Sequence, residues 1–140
     1  RYAQLFGMQL VPCVQTLAHV NQFFMWEKVE YAYKDIDDVL NVGNEKVKAL
    51  LERMISSLRK AFSTDIIHIG MDEAYNLGRG HYLDENGLKS KPQIMLEHLD
   101  FMKGLCKSTD LSPSFGMICS LCTIQISKEN RVLPFRTTSV

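Results

Sequence analysis

Apolar residues recur at helical spacing between positions 44 and 62. Val47, Leu50, Leu51, Met54, Ile55, Leu58 and Phe62 fall on one face, and Asn44 stands where an N-cap belongs. That pattern predicts an amphipathic helix. Two other stretches are largely apolar and of strand length. Met8 to Thr16 and Asp65 to Met71 therefore read as buried strands. Arg1 to Phe6 reads as the end of a helix stopped by Gly7. Ser90-Lys91-Pro92-Gln93 is a capping box with proline just inside the start, opening a helix to about Cys106. Between these elements lie an irregular segment, Leu17 to Gly43, and a glycine-rich loop, Ala74 to Lys89. Loops of that length inside a compact domain usually serve function.

Helix, strand, helix, strand, helix is the order that builds a parallel sheet with right-handed crossovers. The fold class expected is α/β. An eight-stranded (β/α)8 TIM barrel needs about 250 residues. A chain of 140 residues with about two βα units is then part of such a barrel, or a small layered sheet that needs partners. No repeat or low-complexity segment is present.

Composition narrows the function classes. Formal net charge is zero, with 16 basic and 16 acidic residues. That gives no electrostatic case for nucleic acid or an anionic membrane. No apolar run approaches the ~20 residues of a membrane span. No signal peptide pattern is visible, but the chain starts at Arg1 rather than Met. The true N-terminus is therefore expected to be missing. The compartment stays open, the cytoplasm slightly favoured. Cys13 and Cys106 read as buried thiols in apolar surroundings. Cys119 and Cys122 form a lone C-x-x-C without the second pair that a zinc site needs.

The chemistry gathers at the end of the second strand. His68-Ile69-Gly70-Met71-Asp72-Glu73 closes the run Ile66-Ile67-His68-Ile69 and delivers two adjacent carboxylates. Barrel enzymes present catalytic groups at the C-terminal ends of their strands. Strand parity puts His68, Gly70 and Asp72 toward the barrel interior, where Gly70 leaves space. Ile67, Ile69 and Met71 face the outer helices, and Glu73 starts the next loop on the rim. A conventional retaining pair sits ~5 Å apart across the scissile bond. Adjacent carboxylates suit another division of labour, in which one is the general acid and the other holds a nucleophile supplied by the substrate. Burial and a neighbouring negative charge are the means of keeping such an acid protonated.

The order His-x-Gly-x-Asp-Glu resembles the signature of the family 20 glycoside hydrolases, the β-N-acetylhexosaminidases. Upstream, Val11-Pro12-Cys13-Val14-Gln15-Thr16-Leu17-Ala18-His19 resembles that family's P-E-x-D-x-P-G-H segment through Pro12 and His19. Cys13 and Gln15 replace its acidic residues, so the roles of those carboxylates do not transfer. Q-T-L-A-H, H-I-G-M-D-E-A and the inserted Tyr33-Lys34-Asp35-Ile36-Asp37-Asp38 together look like a divergent branch of exo-hexosaminidases. The resemblance covers about residues 1–106. It implies Glu73 as acid/base and Asp72 as the residue orienting the substrate's 2-acetamido group. His19 and His68 become the substrate-side candidates, His68 also as support inside the barrel. The activity implied is retaining hydrolysis of terminal β-linked N-acetylglucosamine or N-acetylgalactosamine, through an oxazolinium intermediate. No metal or organic cofactor is implied. The partners are β-linked N-acetylhexosamine glycans, and a homo-oligomer is left open.

Several residues have plainer readings. Trp26 is expected to pack under the long loop, and Asp37-Asp38 to form a solvated turn. Met54 and Met102 read as core. His81 and Tyr82 are equally placed to reach a sugar or to decorate the loop. A metal-dependent barrel hydrolase built on His19, His68 and Asp72 is a third functional reading. An inactive fragment or sugar-binding remnant is the second.

After Cys106 the periodicity fails, where the resemblance calls for a fifth strand of the form K-Y-G-x-K-P-x-x-W-x-D-M-F. Ser108 to Ser120 can be coded so that one added adenine turns it into K-Y-G-L-K-P-I-F-W-N-D-M-F. The aspartate in that frame is forced by Met117-Ile118 whatever the codons. Residues from about 107 to 140 are thus expected to be an aberrant, frameshifted tail, in which Cys119 and Cys122 carry no chemistry. The coding DNA decides this: one inserted base must regain the barrel pattern.

Overall fold

The computed structural model describes residues 2–117 and 122–124. The chain opens with a single helical turn, α1 (Tyr2–Leu5). Gly7 ends it at φ +66°, and the Met8 N–H closes back on the Ala3 carbonyl at 3.0 Å. Next comes the expected first strand, but Met8, Leu10 and Val11 are exposed rather than buried. The Gln9 side chain donates to the Thr64 hydroxyl at 3.0 Å, and the backbone of the segment docks from Pro12 onward. His68 N–H donates to the Pro12 carbonyl, and Val14 N–H to that of His68, both at 2.9 Å. The interior begins where this pairing begins, with Thr16, Leu17 and Ala18 fully buried.

The irregular segment is more ordered than its pattern suggests. It folds into α2 (Asn21–Phe24), α3 (Glu27–Tyr33) and a small antiparallel hairpin, β1 (Lys34–Ile36) with β2 (Val39–Leu40). Aromatic packing fixes it, with Phe23 edge-on to Tyr33 at 5.3 Å between ring centres. Trp26 does not join that packing and stays exposed, because it lies between the two short helices.

Helix α4 (Glu45–Ala61) forms where the apolar stripe predicts it. The Asn44 side chain caps it by accepting the Lys46 N–H at 2.9 Å. Val47, Leu51 and Ile55 are its buried residues. Strand β3 (Ile66–His68) follows. Beyond the site loop come α5 (His81–Asn86) and α6 (Lys91–Ser108). In α6 the Gln93 side chain accepts the Ser90 N–H at 3.1 Å, as the capping box requires. The sequence pattern offered no strand after α6, yet β4 (Ser112–Met117) pairs parallel to β3, and β5 (Cys122–Ile124) antiparallel to β4. Backbone pairing needs only an extended segment of the right reach, and the buried Leu111 anchors its start. The Cys119–Cys122 pair falls partly outside the described residues.

Strand β3 is therefore flanked on both sides, by residues 12–16 and by β4. Its apolar run is buried only in part: Ile67 and Ile69 lie in the core, whereas Ile66 stays exposed. Ile67, Ile69 and Met71 enter one core with Val47, Leu51, Ile55, Ile94, Met102 and Cys106. The described strands form a two-stranded and a three-stranded sheet.

One polar group sits deep in this core. His98 of α6 is buried, with Nε2 3.4 Å from Thr16 Oγ1, which itself donates to the Ile69 carbonyl at 2.7 Å. Burial pushes the His98 ring down to about 4 from an ordinary 6.5. The unfolded chain therefore binds a proton that the folded chain refuses between those values. Stability present above pH 6.5 should be lost as pH falls toward 4, by about 3 kcal/mol from this group. Urea midpoints measured across that window should decline with acid. His98→Gln keeps an N–H donor without a titrating ring, and should flatten the decline; an equal slope in the variant assigns it elsewhere.

Candidate functional site

The site lies where the chain leaves β3. Ile69 is still in the sheet, its N–H donating to Ser114 and its carbonyl accepting from Thr16. The next residues turn sharply, with φ of +69° at Gly70, +79° at Met71 and +54° at Glu73. A left-handed conformation costs a non-glycine residue about 1–2 kcal/mol, and such strain concentrates at functional sites. Among the described residues five non-glycines adopt it, and four of them, His19, Asp37, Met71 and Glu73, belong to this region. Buried Met71 plugs the turn into the core and holds it there.

The turn lifts both carboxylates toward one imidazole. His19 Nε2 lies 3.4 Å from Asp72 Oδ2 and 3.4 Å from Glu73 Oε2. Asp72 is the more enclosed, with its side chain 13% exposed against 37% for Glu73. His19 comes from the loop after the first extended segment. An imidazole within reach of both acids can pass a proton to or from either.

His68 takes a different position. Its Nδ1 accepts the Gly70 N–H at 3.2 Å and lies 3.3 Å from Cys13 Sγ. A ring accepting through Nδ1 carries its proton on Nε2 when neutral. This ring braces the turn through Gly70. Cys13, expected to be buried, is exposed, because the first segment has begun to dock only one residue earlier. The space left by Gly70 is not open either. The Gln15 side-chain oxygen occupies it, and the φ of +69° is what favours glycine here. The trio His19, His68 and Asp72 is not drawn together into a ligand set. Among the described residues no group of three or more His, Cys, Asp or Glu is arranged to hold a metal ion.

The inserted hairpin contributes what sequence reasoning missed. Asp37-Asp38 is the expected turn, with Asp37 exposed, but both carboxylates are engaged. Asp38 Oδ2 accepts the His19 backbone N–H at 3.1 Å and lies 3.6 Å from its ring Nδ1. Asp37 Oδ2 accepts from the Asn76 side chain at 2.6 Å. Asp35 is buried and accepts three backbone N–H groups, from Gly78 at 2.6 Å, Gly80 at 3.1 Å and Tyr82 at 2.9 Å. Gly80 is the N-cap of α5 and has no side chain to satisfy that helix's first amides, so Asp35 does it from the hairpin. The fit is close: a Cβ on Gly80 would meet the Asp35 carbonyl at 2.1 Å. The available signal was three aspartates within four positions of a segment otherwise reading Ile36, Val39, Leu40. Acids beside apolar strand residues are costly unless something nearby needs an acceptor.

The hairpin thus ties the loop after Glu73 to the loop carrying His19. Of the two residues left open in that loop, Tyr82 is buried with its hydroxyl donating to Glu97 at 3.2 Å, whereas His81 is exposed. No protein-family model and no curated protein matches the chain.

Proposed function

We propose that the chain carries the acid/base centre of a retaining exo-β-N-acetylhexosaminidase that works by substrate-assisted catalysis. The observation that carries this reading is the convergence of Asp72 and Glu73 on His19 Nε2, each at 3.4 Å. Two acids sharing one imidazole stand on one side of a substrate. They are badly placed to supply both a protein nucleophile and an opposing acid across a scissile bond. They are well placed to act on a leaving group and on its neighbouring substituent.

In this mechanism Glu73 protonates the glycosidic oxygen. Asp72 accepts the N–H of the 2-acetamido group and turns its carbonyl oxygen toward the anomeric carbon. That oxygen displaces the aglycone and closes an oxazolinium ring. Glu73, now a carboxylate, deprotonates a water that reopens the ring from the original face. Two inversions leave the configuration retained. The resemblance to family 20 in the His68–Glu73 motif and in Pro12 and His19 supports the same assignment.

The test uses the protein translated with its reading frame restored after Cys106. A chromogenic β-N-acetylglucosaminide and the matching galactosaminide are assayed with a thiazoline mimic of the oxazolinium and with a chelator. Turnover blocked by the thiazoline and indifferent to the chelator is expected. No turnover of either sugar, or turnover that the chelator abolishes, overturns the proposal.

A second reading applies to the 140-residue chain by itself. Met8, Leu10 and Val11 lie exposed along the segment that leads into the site, which favours association over turnover. On this reading the isolated chain is an inactive piece or sugar-binding remnant, and the same assay on it gives no product.

A further inference from the structure

We infer that Asp38 is a positioning residue of this site: it fixes the ring of His19 so that Nε2 faces Asp72 and Glu73. The inference rests on the hexosaminidase reading only for its kinetic consequence; the arrangement of the ring stands apart from it.

One carboxylate oxygen serves two groups of the same residue. Asp38 Oδ2 accepts the His19 backbone N–H at 3.1 Å and stands 3.6 Å from Nδ1. The backbone of the turn is docked on the same loop, with Val20 N–H donating to the Asp38 carbonyl at 3.2 Å and Leu40 N–H to that of Leu17 at 2.8 Å. His19 is held at φ +59°, a conformation that persists only where the surroundings enforce it. Among the described residues Asp38 is the acid at Nδ1, whereas Asp72 and Glu73 face Nε2. A carboxylate at Nδ1 selects the tautomer with the proton there. It leaves the Nε2 lone pair for a protonated acid and stabilises the imidazolium if that proton transfers. Gln15 stands where the family's segment carries an acid, and its oxygen is turned onto Gly70. The hairpin therefore supplies from another part of the chain a carboxylate that the first segment lacks.

The experiment has two arms. In the 15N-labelled 140-residue chain, long-range proton–nitrogen correlations of His19 are recorded at a pH where the ring is neutral. The wild type should show Nδ1 protonated and Nε2 bare. Asp38→Asn can donate to Nδ1 as well as accept, and should shift the ring toward the Nε2-protonated form. Asp38→Glu should restore the original pattern. Amide spectra verify that each variant is folded, and Asp38→Ala replaces Asp38→Asn should the latter not fold. A nitrogen pattern that ignores Asp38 overturns the inference. In the frame-restored enzyme, Asp38→Asn should lower kcat at least about tenfold with KM within about threefold, and Asp38→Glu should recover part of it. An unchanged kcat also overturns the inference. Should the wild-type enzyme turn over no hexosaminide, the functional reading falls, and the nitrogen pattern alone still decides the role of Asp38.

Discussion

On the proposed hexosaminidase reading, replacing Glu73 by glutamine should cut kcat by about 10²- to 10⁴-fold on a substrate with a poor leaving group. The variant keeps the shape and the polar contact toward His19 Nε2, 3.4 Å away, but has no proton to give. Loss should be smaller for a 2,4-dinitrophenyl glycoside, whose aglycone departs without protonation. Steady-state kinetics across leaving groups of graded acidity measures this directly. A steeper dependence on leaving-group acidity in the variant than in the wild type marks Glu73 as the acid. Equal dependence, or unchanged turnover, removes it from that role. Asp72→Asn should behave differently, losing rate on all leaving groups alike, because the proposed role of Asp72 concerns the acetamido group and not the departing oxygen.

Asp35→Ala should destabilise the chain by on the order of 3–6 kcal/mol, a large share of the 5–15 kcal/mol that holds an ordinary domain together. Its carboxylate is buried and accepts three main-chain N–H groups. Truncation strands all three, and each stranded donor costs about 1–3 kcal/mol. The two oxygens are not equivalent. Oδ1 takes Gly80 and Tyr82, whereas Oδ2 takes Gly78 alone. Asp35→Asn with its oxygen in the Oδ1 place keeps two of three bonds and should cost about 1–3 kcal/mol. Urea unfolding of the two variants gives the order. An alanine variant as stable as the asparagine variant would mean that the loop finds other acceptors.

Helices α4 and α6 were legible from their own residues, whereas α2, α3 and α5 lie in segments that read as loops. The stripe from Val47 to Leu58, the Asn44 cap and the Ser90–Gln93 box are local signals, and local bonds decide helices. β3 and its buried set Ile67, Ile69 and Met71 were legible from the apolar run, although Ile66 in the same run stays exposed. The approach of Asp72 and Glu73 to His19 could be anticipated only in outline, from strand parity and motif order. Positive φ at Met71 and Glu73 departs from strand geometry, and nothing in their side chains announces it. Exposure at Met8, Leu10 and Val11 depends on what lies alongside, which an apolar run does not report. The roles of Asp35 and Asp38 were illegible for a related reason. Each answers a need at the far end of a long sequence separation: a glycine N-cap at position 80, and a ring at position 19.

The hairpin register has a consequence for variation in this chain. β1 and β2 pair Lys34 with Leu40 and Ile36 with Val39, with an irregularity that places Asp35 at the bulge. Asp37 and Asp38 then occupy the turn as neighbours with different clients, Asn76 and His19. Adding or deleting one residue in that turn would displace Asp38 from His19 while leaving every residue of β3 and its motif in place. The partner of the imidazole is thus an exchangeable part. It can be rewritten by a change in loop length, without touching the strand that bears the acids.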